Sequence, residues 1–340
     1  MGASVAYFLA RRGVAVTVVE RTGVACAASG KSGGFLALDW CDDSPLGPLA
    51  RASFTLHAEL AREIGIDYGY RRMDTFMLAA REQGSVRGGH RVPAPSWIDG
   101  AGVVTAALGS TETTAQVHPA RFTAALIETA GARVQTGVVE ALVERDGVAQ
   151  GVRVDGTTLT GDAVVLALGP WTSRLAGVRL PRVRGLKGYS VTLAVAAVPA
   201  HALFVDYRTA SGRALEPEIF PRPGGEVYIC GMADPQPLPE GPDGVVVDDD
   251  ACAVLAGAAG RISSALASAT ITRRQACYRP VTDDYLPLIG RVPGVRRAYV
   301  ATGHGPWGML NAPATGLALA ELITDGKASV VDLSPFDPAR

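Results

Sequence analysis

Four stretches of this chain carry residue types whose spacing could do chemistry. The first is the apolar run Val14–Val19 followed by Glu20. A strand that ends in a carboxylate can hold both ribose hydroxyls of an adenine dinucleotide, and it disfavours a 2′-phosphate. A solvent-facing strand end fits the same residue equally well. The second is the loop Ser29–Phe35, where Ser29, Lys31, Ser32, Gly33 and Gly34 crowd N–H and hydroxyl donors together with little bulk. Such a loop suits a pyrophosphate or a flavin edge, although composition alone also describes an ordinary turn. The third is the turn Gly303–Gly308, whose glycines at 303, 305 and 308 let the backbone approach a ligand. His304 and Trp307 lie within it, and the helix behind it presents free N–H groups and a partial positive charge. The fourth is CYRPVTDDYLPLIG, 277–290, where Arg279 lies between an aromatic residue and a proline. A cleft arginine can hold a carboxylate through two hydrogen bonds; a surface ion pair is the competing reading.

The elements that must position these stretches begin at the first residue. Residues 1–20 read as a helix, a glycine turn at Gly13 and an apolar strand, the second half of a βαβ nucleotide-binding unit. Gly2 stands where the third glycine of G-x-G-x-x-G falls, with Glu20 roughly 20 residues beyond the first glycine position. The strand that would carry the other two glycines is expected before Met1, central in the sheet and beside Val14–Val19. Without it, sheet edges open and the pyrophosphate turn is lost. A chain extended upstream by roughly ten to fifteen residues, apolar and then G-x-G-x-x, is expected to bind the dinucleotide more tightly. Equal cofactor content with and without the extension would refute this.

Further along, Leu49, Phe54, Leu56, Leu60 and Ile64 recur at helical steps over 46–64. Pro119 opens a second helix, followed by a short strand around Arg133–Thr136. Residues 138–160 read as a meander with turns at Asp146-Gly147 and Asp155-Gly156. DAVVLALG is a buried strand that ends at Gly169, just before Pro170-Trp171. Residues 183–232 alternate in β fashion around a turn at Pro223-Gly224-Gly225, and an alanine-rich helix covers 250–267. A strand at Arg297–Ala301 and a helix with Pro313 in its first turn, stopping at Gly326, close the pattern. The order predicts an α/β (α+β) fold, discontinuous in sequence. One domain, Rossmann-like, takes 1–45, 116–180 and 270–332 and binds the cofactor; a β-rich mixed-sheet substrate domain takes 46–115 and 181–269.

Composition narrows the function classes. The 340 residues are 48% apolar and 19% charged, with a net charge of −1. That balance argues against disorder and against a nucleic-acid groove, which needs a basic excess. Five scattered cysteines with no C-x-x-C argue against a disulfide framework or a zinc site and point to a reducing, cytoplasmic setting. No run approaches the roughly 18 apolar residues of a membrane span. His57, His90, His118 and His201 read as surface or capping residues, which leaves His304 as the histidine kept for a site.

Taken together, EPEIFPRPGGEVYICG, QACYRPVTDDYLPLIG and ATGHGPWGMLNAPATGLALAELI resemble the D-amino-acid oxidase–like flavoprotein superfamily. Its members include glycine oxidase, sarcosine oxidase and D-amino-acid dehydrogenase. VTVVER, SGKSGGFLA, QVHPARFTAAL and DAVVLALGPWTSRL match in the expected order, so the resemblance spans almost the whole chain. It implies an FAD-binding Rossmann-like domain with a mixed-sheet substrate domain. It also implies oxidation of the C–N bond of an amine or amino acid by hydride transfer to flavin N5, with the electron acceptor undetermined. By resemblance, Gly2, Glu20 and Arg21 bind the dinucleotide, and Ser29, Lys31, Ser32, Gly33, Gly34 and Phe35 line the flavin. Gly169 and Trp171 join the cofactor set, and Gly303, His304, Gly305, Gly308 and Met309 flank the ring and its ribityl chain. Arg279 aligns with the arginine that grips the substrate carboxylate; Arg279 and His304 are the catalytic candidates. Cys277, Thr282 and Asp284 reproduce the spacing of sarcosine oxidases, whose cysteine is bonded to the flavin. The Arg279-Pro280 pair instead follows glycine oxidase, which binds FAD non-covalently. Two further readings stand beside this one. An incomplete fingerprint suits a catalytically impaired or flavin-free relative with a regulatory or protein-interaction role. An NAD-dependent dehydrogenase is opposed by the GHGPWG turn and by the lack of a second full βαβ unit.

Overall fold

The computed structural model describes residues 1–86, 92–196 and 199–340; His90 lies outside them. The helix Gly2–Ala10 is apolar almost all round, and Ser4 to Leu9 are buried. Gly13, at φ +76°, turns the chain back into the strand Thr17–Glu20. That strand pairs in parallel with Arg133–Thr136, which is reached through the helix Pro119–Thr129. The helix Gly2–Ala10 packs on Pro119–Thr129 and on Gly308–Thr324. Its crossing with the latter is tight, since a Cβ on Gly316 would lie 2.6 Å from Ser4. Gly47–Glu63 joins the same layer, and Leu49, Phe54, Phe122, Leu310 and Leu319 share its core.

The helix Gly308–Thr324 starts earlier than its sequence suggests, and Pro313 lies inside it rather than in its first turn. A proline there leaves the carbonyl four residues back without its usual donor. His57 supplies one: its Nε2 lies 3.0 Å from Met309 O and 3.2 Å from Leu310 O. Ser53 Oγ, one turn earlier, accepts from Ala314 N at 2.9 Å. The neighbouring helix therefore patches the break. His57 is fully buried, which corrects its reading as a surface or capping residue. His118 does cap its helix, accepting from Arg121 N.

Because carbonyls only accept, Nε2 of His57 carries the proton and Nδ1 is bare, buried and unpartnered. Burial lowers the His57 pKa from 6.5 to about 4. Between those values the unfolded chain binds a proton that the folded chain refuses. Stability therefore falls as pH drops from 6.5 towards 4, by up to about 1.4 kcal/mol per pH unit for this residue. Thermal unfolding at pH 7 and pH 5 checks this: the His57→Gln variant should show a smaller acid loss than the parent.

The second layer is an eight-stranded sheet. Its order runs Thr270–Thr282, Val183–Ala194, Glu226–Asp234, Glu218–Arg222, His201–Arg208, Asp74–Arg81 and Val103–Gly109, with Ala214–Leu215 beside His201–Arg208. Alternation gives the sheet two faces. Val191, Ile219, Ile229 and Ala276 pack beneath the helix Asp249–Ile262. Glu218, Tyr228, Cys230, Cys277 and Arg279 point the other way, into a cavity. Thr270–Thr282, grouped by sequence with the cofactor segments, is an edge strand of this sheet and pairs with Val183–Ala194 along its length.

A smaller sheet joins Val164–Leu166 in parallel to Ala298–Thr302, itself paired with Leu288–Arg291. The meander 139–160 forms as expected. Both of its turns have two central residues at positive φ, Asp146 and Gly147, then Asp155 and Gly156, the type I′ geometry that fits strand twist. Thr17–Glu20 and Val164–Leu166 belong to separate sheets, and both border the cavity.

Candidate active site

A cavity of about 1570 Å³ runs between the two layers. That exceeds the roughly 300–1,000 Å³ of most small-molecule pockets, so it has room for a dinucleotide as well as a substrate. At one end lies Glu20, at the close of its strand. Burial pushes its carboxyl pKa up, and the N–H groups of Thr22 and Arg21 partly offset that. Arg21 faces Glu240 at 3.3 Å and Asp243 at 3.6 Å. Trp171 Nε1 donates to Pro239 O at 2.9 Å, and Arg174 donates to the same carbonyl at 2.6 Å. These contacts hold the acidic, proline-rich segment against the cavity rim.

The N-termini of two long helices open onto the cavity: Gly2 and Ala3 at one, Gly308 and Met309 at the other. The first N–H groups of a helix have no partner within it, so both ends suit phosphate or anionic ring oxygens. His304 is buried between them. Its Nε2 lies 3.1 Å from Thr315 Oγ1, and its Nδ1 has no partner. Burial lowers its pKa to about 3, so the ring is neutral at ordinary pH.

The segment Ser29–Gly34, expected as a loop, begins inside the short helix Ala28–Lys31 and is clamped from outside. Arg222, buried to 6% exposure, donates to Ser32 O at 2.8 Å, pairs with Glu226 at 2.6 Å and lies over the Tyr228 ring. Tyr228 in turn donates from its hydroxyl to Lys31 O at 2.8 Å. Arg222 and Tyr228 carry no local mark of a site in the sequence, although both lie in the EIFPRPGGEVYICG motif. The Arg-Pro-Gly-Gly turn followed by Glu226 was the signal available.

Of the residues singled out by sequence, Gly2, Glu20, Arg21, Ser29, Ser32, Gly33, Gly169, Trp171, Cys277, Arg279, His304, Gly305, Gly308 and Met309 border this one cavity. Lys31, Gly34, Phe35 and Gly303 stand behind its wall. Lys31 turns its Nζ to Ala276 O at 3.4 Å. Gly34 abuts Val117 and Pro119. Phe35 joins an aromatic cluster with Trp40, Phe204 and Phe220. Gly303, at φ +80°, packs on Thr282. These four shape the wall instead of facing the cavity.

Arg279 projects from the sheet over Gly188, where an added Cβ would lie 3.2 Å from its Nη2. Among the described residues it has no carboxylate in ion-pair contact, unlike Arg222. Residues 1–322 match the family described as DAO, FAD dependent oxidoreductase. The chain belongs to that family. It is 31% identical to a Schizosaccharomyces pombe protein described only as an oxidoreductase, over 99% of this chain and 95% of that one. Glycine oxidase from Geobacillus kaustophilus has a similar structure, with a TM-score of 0.83 and 25% identity over 100% of this chain and 95% of that one. Iminodiacetate oxidase from Chelativorans shares the fold, with a TM-score of 0.77 and 22% identity over 99% and 96% of the two chains. As a DAO-family oxidoreductase the chain is FAD-dependent, and its cavity fits that cofactor: a carboxylate at a strand end, open helix N-termini and an unpartnered His304 nitrogen line it. Among the described residues no helix is long and apolar enough to cross a membrane.

Proposed function

We propose that this protein oxidises the C–N bond of an amino acid, with Arg279 holding the substrate carboxylate. The observation that carries this reading is Arg279 itself: a guanidinium on the cavity wall, over a glycine, with no protein carboxylate in ion-pair contact among the described residues. A guanidinium left without a protein partner keeps its planar fork of donors free for a ligand carboxylate. Glycine oxidase, which shares the fold across the whole chain, supports an amino-acid substrate by its name.

Glu20 would bind the adenosine ribose, and the helix ends at Gly2 and Gly308 would face the pyrophosphate and the flavin ring. Bound FAD supplies a hydride acceptor for the carbon next to the substrate nitrogen. The protein's part is to fix that carbon by gripping the carboxylate and to keep bulk water from the reacting face. His304, neutral and held by Thr315, can donate or accept one hydrogen bond without adding charge. The imine product hydrolyses in water. Mixing the FAD-loaded protein anaerobically with amino acids tests the reading through loss of flavin absorbance.

Cys277 is placed in this reading as a non-covalent neighbour of the flavin. Burial pushes its thiol pKa up, with Arg279 and Lys31 pulling the other way, and a protonated thiol is a poor nucleophile. Acid precipitation of the loaded protein should leave all the yellow colour in the supernatant. Colour retained in the pellet, and lost in Cys277→Ser, would show a covalent link.

A further inference from the structure

The wall that carries Arg279 also carries a carboxylate with no part in the reading above. Glu218 stands opposite Cys230 in the ladder between neighbouring strands. Its side-chain hydrogen bond among the described residues is a long one, from Cys230 Sγ at 3.4 Å. No lysine or arginine forms an ion pair with it among those residues. The neighbouring hairpin residues Arg222 and Glu226, by contrast, pair at 2.6 Å. Glu218 and Cys230 both face the cavity. A carboxylate served by one weak thiol donor is short of hydrogen bonds. Burial pushes its pKa up, while Cys230 and Arg279 pull it down.

The spacing to Arg279 gives this a use. The Arg279 guanidinium reaches back over Gly188. Gly188 lies on the strand next to that of Cys230, and Glu218 lies one strand further on. Neighbouring strands are about 4.8 Å apart. The two charges therefore face the same part of the cavity from either side of Cys230, without touching. A ligand whose carboxylate pairs with Arg279 extends its next substituent over Cys230 towards Glu218.

We propose that Glu218 is a specificity-determining residue: among carboxylates held by Arg279, it selects those that also carry an ammonium group and rejects those with a second negative charge. The proposal rests on the amino-acid reading of this site. An ammonium supplies the donors that Glu218 lacks. A methyl group in its place leaves the carboxylate unpaired, and a second carboxylate repels it.

Three ligands with one carbon skeleton separate these cases: 2-aminoisobutyrate, pivalate and dimethylmalonate. They differ in a single substituent, ammonium, methyl or carboxylate. None has a hydrogen on the carbon next to the carboxylate, so none is oxidised there. Each is titrated into the FAD-loaded protein, and binding is followed by the shift in flavin absorbance. The parent should bind them in the order given. Glu218→Gln should weaken 2-aminoisobutyrate about tenfold or more, the scale of a charge-assisted hydrogen bond. The same change should tighten pivalate and dimethylmalonate, a gain that a damaged fold does not produce. Glu218→Asp should restore the parental order.

Equal shifts for all three ligands in Glu218→Gln, or no shift, would overturn the proposal. If Arg279→Met still abolished binding in that case, the amino-acid reading would stand and only the role of Glu218 would fall. If the loaded protein bound none of the three, or bound them equally well with and without Arg279, both would fall.

Discussion

Replacing Arg279 with methionine lowers kcat/KM for the amino-acid substrate by about a thousandfold or more while leaving the protein yellow. The size follows from two charge-assisted hydrogen bonds lost at once, each worth about 1.5–3 kcal/mol. Part of the loss appears in kcat, because the carboxylate grip also fixes the reacting carbon against the cofactor. Methionine keeps much of the side-chain volume over Gly188, so the sheet should hold its shape. Flavin content stays at the parental level, since the loop and helix ends assigned to FAD do not rest on this side chain. Arg279→Lys should recover only part of the activity, because a lysine is a point charge without the planar fork. Steady-state kinetics alongside the flavin-to-protein ratio check both halves of the prediction.

The second large effect is expected at Gly34. This residue has φ +79°, and an added Cβ would fall 2.0 Å from Val117 O and 3.0 Å from Pro119 Cδ. The positive φ alone costs a side chain about 1–2 kcal/mol, and the overlap has no flexible group to absorb it. Val117 N donates back to Gly34 O at 2.9 Å, and Pro119 begins the next helix. Relief therefore requires the loop to move away. Gly34→Ala should cut FAD affinity about tenfold or more, a shift of about 1.4 kcal/mol in binding, and should also lower the unfolding temperature. The loss arises although Gly34 itself does not border the cavity, because Ser32 and Gly33 do. FAD titration of the apoprotein, followed by flavin fluorescence, measures it. Undiminished affinity would show that the loop is not part of the cofactor site.

Much of the frame was legible because local rules and tertiary packing agree there. The meander followed from its Asp-Gly turns, and Pro119 marked its helix start. The stretch around Pro313 was misread because the repair comes from His57 and Ser53, more than 250 residues away in sequence. No local pattern records such a partner, and a lone histidine in a helical stretch looks like a surface residue. The site was legible in the same measure. Gly33 and Arg279, left open by their local pattern and singled out by resemblance, both border the cavity. Glu218 was not singled out, since one glutamate in an alternating strand is indistinguishable from a solvent-facing residue until the cavity is found on its side of the sheet. Lys31 and Phe35 were drawn to the flavin by their place in the loop, whereas the structure turns both towards the sheet and its aromatic cluster.

The most direct test is an anaerobic mixing experiment with the FAD-loaded protein and a panel of N-substituted and D-amino acids, recorded for the parent and for Arg279→Met. At least one amino acid should bleach the flavin of the parent, while the variant keeps its colour at the same concentration. A loaded parent that no member of the panel bleaches, or a variant that bleaches as fast as the parent, would contradict it.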